Sequence, residues 1–150
     1  MSAEPGVVLH VDDDAEVCGA TAAVLEVAGF RQHGAESAQA ALSVAASLRD
    51  EIDVLIVDYH LGGEMTGTDV AESIARSLGH ALPTIILTGD PANAQIPLLS
   101  NAPVWLVRKP AYHELMMAAL PSLVEFSRVV RRFERRDVTR SNWSKSPAEK

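Results

Sequence analysis

The 150-residue chain has a single cysteine and only seven aromatic residues, three Phe, two Trp and two Tyr. No apolar run approaches the ~18 residues that a bilayer span requires, so no membrane association is expected. Cys18 lacks a partner for an internal disulfide, which suits a reducing compartment, and a cytoplasmic location follows as the expectation. The opening residues 1–6 carry neither the basic nor the apolar stretch of a secretory signal. Basic residues are also scarce: 13 Lys and Arg against 20 Asp and Glu leave a formal charge of −7. An acidic balance argues against general nucleic-acid binding.

Divided along the chain, the charge describes two objects. Residues 1–127 hold five basic and 17 acidic side chains, a net of −12; residues 128–150 hold eight basic and three acidic, a net of +5. The break predicts a compact domain over 1–127 and a basic helical extension with a disordered tail over 128–150.

Four short runs are rich in β-branched residues: 7–11, 54–57, 84–87 and 104–107. Near-continuous apolar strands fit a parallel sheet covered on both faces. A weaker strand is expected from Phe30 to Gly34, after the helix-stop Gly29. Helices are expected over 15–28, with Val17, Thr21, Val24, Leu25 and Ala28 inward, from Ser37 as cap, over 68–78, and after Pro110. The segment 92–101 is less regular because Pro97 interrupts it. The order is (βα)5, an α/β doubly wound parallel sheet.

In such a sheet the loops at the carboxyl ends of the strands form the binding crevice. Asp12, Asp13 and Asp14 follow the first strand, Asp58 ends the third, Thr88 the fourth and Lys109 the fifth. Two carboxylates ~5 Å apart repel by roughly 3 kcal/mol at an effective dielectric of about 20, so the cluster calls for a cation. Hard oxygen donors without His or Cys at metal spacing favour Mg2+ over zinc. A phosphoryl group on Asp58 would be clamped by the metal, Lys109 and the Thr88 hydroxyl.

The segments Val11-Asp12-Asp13, Val57-Asp58, Leu87-Thr88-Gly89 and Lys109-Pro110, with 30 positions from Asp58 to Thr88 and 21 from Thr88 to Lys109, resemble the receiver domain of two-component response regulators. The resemblance covers roughly residues 6–126. It implies a flavodoxin-like fold with strand order 2-1-3-4-5, and Asp58 as phosphoacceptor. It further implies Mg2+ held by Asp12, Asp13, Asp58 and the backbone carbonyl of His60, with Thr88 and Lys109 on the phosphate. The implied donor is a phosphohistidine on a sensor histidine kinase or histidine phosphotransfer protein. The domain would be a phosphoacceptor, not an enzyme acting beyond its own phosphorylation and dephosphorylation. Three features depart from the family. Leu106 stands where receivers usually carry Tyr or Phe, and Trp105 has the wrong strand parity to replace it. The loop 61–67, with Gly62 in place of proline, resembles receivers of hybrid sensor kinases. Pro97 predicts a short or irregular fourth helix.

Single features have plainer readings too. Asp14 is expected to start the first helix, and His10 to be a satisfied buried histidine. In the tail, Phe126, Val130 and Phe133 form an apolar stripe among arginines, which suits a docking or dimerising helix. No helix-turn-helix or aromatic platform accompanies that basic run, so nucleic acid is not the expected partner. The reading is a single-domain receiver that signals by protein contact. Its rivals are a non-phosphorylated receiver-like binding module and a haloacid-dehalogenase-type phosphatase using Asp12 and Asp14. The second needs Thr or Val where Glu16 stands.

Overall fold

All five expected strands form: β1 (Val7–Val11), β2 (Arg31–Ala35), β3 (Val54–Asp58), β4 (Thr84–Thr88) and β5 (Val104–Arg108). The computed structural model describes residues 4–96, 102–109 and 113–144, with side chains through residue 134. Every pairing is parallel, in the order β2-β1-β3-β4-β5 expected from the sequence. The central β1, β3 and β4 are buried at every position, which is why they read as unbroken apolar runs. Edge strand β2, Arg-Gln-His-Gly-Ala, has little apolar signal, and only Ala35 is buried.

Among the described residues, four α-helices cover the two faces: α1 (Ala15–Val27), α2 (Ala38–Leu48), α3 (Gly67–Leu78) and α4 (His113–Ser144). On one face Leu9, Leu55, Val57 and Ile86 pack with Ala41, Ala45, Val70 and Ile74 of α2 and α3. On the other, Val8, Ile56, Ile85 and Val107 pack with Leu25 of α1 and Met116, Leu120 and Leu123 of α4. Each fully buried Leu or Ile contributes roughly 1.5–3 kcal/mol.

Local chemistry sets the helix ends. The Asp14 carboxylate accepts from the amides of Glu16 (2.9 Å) and Val17 (3.4 Å), so it caps α1 as expected. Ser37 caps α2 through the Ala40 amide. Thr66 and Asp69 form a reciprocal capping box on α3, and Gly79 ends it in the left-handed region. The inward stripe of α1 is Cys18, Thr21 and Leu25, rotated from the expected one: Val17 and Val24 are half-buried and Ala28 is exposed. The packing side follows Cys18, whose thiol fits between the carbonyls of Asp12 and Ala35.

After β4 the chain makes a single 3-10 turn, Pro91–Asn93, in place of a helix start. Pro97 and the rest of 97–101, and Pro110, lie outside the described residues.

The expected boundary at residue 127 falls inside α4, which runs unbroken to Ser144, so the helical stretch reaches into the expected disordered tail. Residues 145–150 of that tail lie outside the described residues. Arg128 and Arg131 are folded onto the sheet. Asp53, only 1% exposed at the entry to β3, accepts from the Val7 amide at 2.9 Å and pairs with Arg128 at 3.1 Å and with Arg131. Arg128 also donates to the carbonyls of Glu4 and Pro5, and Arg131 to that of Asp50. A buried carboxylate needs such partners, and Arg128 and Arg131, beyond residue 127, supply the charge.

Candidate functional site

Strand topology brings the expected residues to one edge. Asp12 and Asp13 follow β1, Asp58 closes β3, Thr88 closes β4 and Lys109 leaves β5. One oxygen from each of Asp12, Asp13 and Asp58 lies within 4.8 Å of the others. Asp12 and Asp58 are buried and Asp13 is exposed, so the cluster opens to solvent on one side. The Lys109 ammonium donates to Asp58 Oδ2 at 2.7 Å and sits 3.9 Å from Asp12 Oδ2.

The acids are not equivalent. One Asp12 oxygen accepts from the Asp14 amide at 2.9 Å, whereas the other is buried without a hydrogen-bond partner. Burial raises the Asp12 pKa, and the Asp58 and Asp13 charges add to it; the Asp14 amide and Lys109 oppose them. A buried, unpartnered carboxylate oxygen among three hard donors suits a divalent cation, and the residues present fit that group. Asp58 Oδ1 accepts from the His60 amide at 3.3 Å. The His60 side chain is exposed, in keeping with a role for its backbone alone. Thr88 is 1% exposed, and its hydroxyl accepts from the Asp90 amide at 3.0 Å, leaving its own proton available.

The loop 59–67 backs this site more closely than the sequence discloses. A Cβ at Gly67 would run into the Asp58 carbonyl and lie 3.0 Å from Tyr59 Cα; one at Gly62 would lie 2.9 Å from Asp13 Oδ2. Gly62 also has φ +74°. The only signal for this was the density of glycines after Asp58. Tyr59 is a second unforeseen contact: its hydroxyl accepts from the Gln95 amide at 3.3 Å, and the Thr68 hydroxyl donates to the Gln95 carbonyl. The segment after Thr88 is thereby tied to the segment after Asp58. Leu106 packs on the α2–α3 face and Val107 on the opposite one, while Trp105 is 44% exposed on the edge strand.

Asp14 caps α1 through Oδ1 and is not one of the three acids, Asp12, Asp13 and Asp58, that cluster. His10 is buried as expected: Nε2 lies 2.7 Å from Gln32 Oε1, and burial holds its pKa below the ordinary value.

The family model of the response regulator receiver domain matches residues 8–120. The chain belongs to this family. A protein named as a two-component response regulator, ARR21 of Arabidopsis thaliana, is 29% identical over 105 residues, which are 70% of this chain and 17% of that protein. The chain thus spans less than a fifth of that relative. Among solved structures, a response regulator receiver domain protein from Clostridium thermocellum superposes with a TM-score of 0.70 at 23% identity, covering 83% of this chain and 98% of that one. The receiver domain of the hybrid histidine kinase CckA gives 0.65 at 22% identity, covering 79% and 99%. Receivers are phosphoacceptor domains of two-component signalling, and they work with histidine kinases or phosphotransfer proteins. No helix among the described residues is long and apolar enough to cross a membrane.

Proposed function

We propose that this receiver accepts a phosphoryl group on Asp58 in a Mg2+-dependent reaction and passes the signal on by protein contact. The observation that carries the reading is the buried Asp58 carboxylate, 2.7 Å from Lys109 and within 4.8 Å of two further carboxylates. The donor is a phosphohistidine of a sensor histidine kinase or histidine phosphotransfer protein. An Asp58 oxygen attacks phosphorus, the P–N bond breaks, and the imidazole nitrogen leaves with the bonding pair and takes up a proton. The product is an acyl phosphate, from which water later releases inorganic phosphate and restores the carboxylate.

Asp12, Asp13, Asp58 and the His60 carbonyl would hold the metal. When bound, Mg2+ supplies positive charge against the phosphoryl oxygens. Lys109 supplies a second cation, and Thr88, through its hydroxyl proton, a hydrogen bond. No general base is required, because an ionised carboxylate is already the nucleophile. A cytoplasmic setting agrees with Cys18 remaining a free thiol.

The test is incubation with a small phosphodonor and Mg2+, followed by intact-mass measurement. Wild type gains one phosphoryl group and Asp58→Asn gains none. Phosphorylation of both, or of neither, removes the assignment; neither, in a folded protein, favours a non-phosphorylated binding module.

A further inference from the structure

We propose that α4 is a self-association helix, through which two copies of this chain pack antiparallel about Val129. At 100° per residue, Leu115, Ser122, Phe126, Val129 and Phe133 fall within about 40° of one line along the helix. This is a second stripe, distinct from the one that Met116, Leu120, Leu123 and Val124 bury against the sheet. It is open to solvent: Leu115 is 54% exposed, Phe126 38% and Phe133 60%. One apolar stripe suffices to dock a surface helix, and the second has no partner within the described residues.

Charge selects the occupant. Residues 113–125 of the helix carry two acids, Glu114 and Glu125, and no Lys or Arg; residues 126–144 carry six arginines and two acids, a net of +4. A parallel, in-register pair would set acidic half against acidic half. An antiparallel pair opposes unlike halves twice, as an isologous two-fold contact requires. With the axis at Val129, Phe126 lies within a residue of level with the second copy's Phe133, and Glu125 is within a residue of level with its Arg132. Arg128 and Arg131 are committed to Asp53, which leaves Arg132, exposed on the flank of the stripe, to meet Glu125.

Helix length makes room for this. The 32 residues of α4 run about 48 Å, against about 17 Å for a five-residue strand. Arg131 still pairs with Asp53 and Glu134 still accepts from the Ala81 amide, so the helix beyond residue 134 extends past these contacts and can lie along the second copy's α4. The same register brings position 143 level with the second copy's Leu115.

The full-length, unphosphorylated chain is tested by sedimentation equilibrium from about 1 to 200 μM. Because no phosphodonor is used, failure here and failure of the Asp58 reading are distinguishable. Wild type shows a concentration-dependent dimer, and Phe126→Ser/Phe133→Ser sediments as a monomer with an unchanged circular dichroism spectrum. Glu125→Arg alone weakens the dimer at least about fivefold, since two surface pairs turn from attractive to repulsive. Combining Glu125→Arg with Arg132→Glu restores it to within about threefold, which only the antiparallel pairing predicts. A wild type monomeric throughout, or a serine variant that dimerises like wild type, overturns the proposal. A charge-swapped double variant no stronger than Glu125→Arg overturns the antiparallel arrangement.

Discussion

Gly67, which opens α3, and Gly63, in the loop before it, stand four residues apart, yet they carry opposite expectations. A Cβ at Gly67 meets the backbone of Asp58 and Tyr59, which cannot rotate away, whereas one at Gly63 meets nothing within 4 Å. Gly67→Ala therefore destabilises by about 1–3 kcal/mol, the range for an overpacked site, and slows phosphorylation by displacing Asp58. Gly63→Ala changes neither by more than about 0.5 kcal/mol or its equivalent in rate. Urea midpoints and phosphodonor kinetics on the two variants check this, and equal effects would show that the contact with Asp58 does not set the requirement. The sequence marks the loop as glycine-rich but cannot say which glycine matters. The clash is with a carbonyl nine positions earlier, and its distance depends on how α3 enters. Asp12, Asp58, Thr88 and Lys109 were legible for the opposite reason: each follows an apolar run within two positions, and the strand-end rule places all of them without loop geometry.

The same distinction operates on whole elements. The central strands announce themselves because both faces are buried, and α3 because Val70, Ile74 and Leu78 share one face and Gly79 follows, whereas its Thr66–Asp69 capping box came only with the structure. The domain boundary was expected at residue 127 because charge composition changes there, whereas α4 and its packing continue across that position. The reason lies with Asp53, whose arginine partners are 75 and 78 positions away and look solvated in the sequence. Removing both positive charges from a buried carboxylate leaves it uncompensated. Arg128→Met/Arg131→Met should therefore cost about 3–5 kcal/mol, seen as a lower urea midpoint at unchanged m-value. Adding Asp53→Asn should recover part of that loss, because a neutral amide no longer needs the charge. A double arginine variant as stable as wild type would mean that α4 is held by its apolar face alone.

At the scale of the molecule, β3 carries an acid at each end of its run: Asp53 faces the arginines of α4, and Asp58 faces Lys109 and the other two carboxylates. The five residue steps from Asp53 to Asp58 separate the sites by about 16 Å, beyond the distance at which effects usually couple. On the proposed reading Mg2+ would bind the folded cluster and not the dispersed acids of the unfolded chain, and so would add stability as RT ln(1 + [Mg2+]/Kd). At 100 times Kd this is about 2.7 kcal/mol, or roughly 5–10 °C in Tm for a chain of this size. Asp13→Asn removes most of that increment, and a chelator returns wild type to its metal-free Tm. Asp53→Asn lowers the starting Tm but keeps the full increment, because its site lies at the far end of the sheet. Scanning calorimetry with and without Mg2+ at constant ionic strength separates these contributions. If Asp53→Asn lost the increment as well, the two ends of β3 would act as one coupled unit, and packing of the α4 arginines would itself tune the acidic cluster.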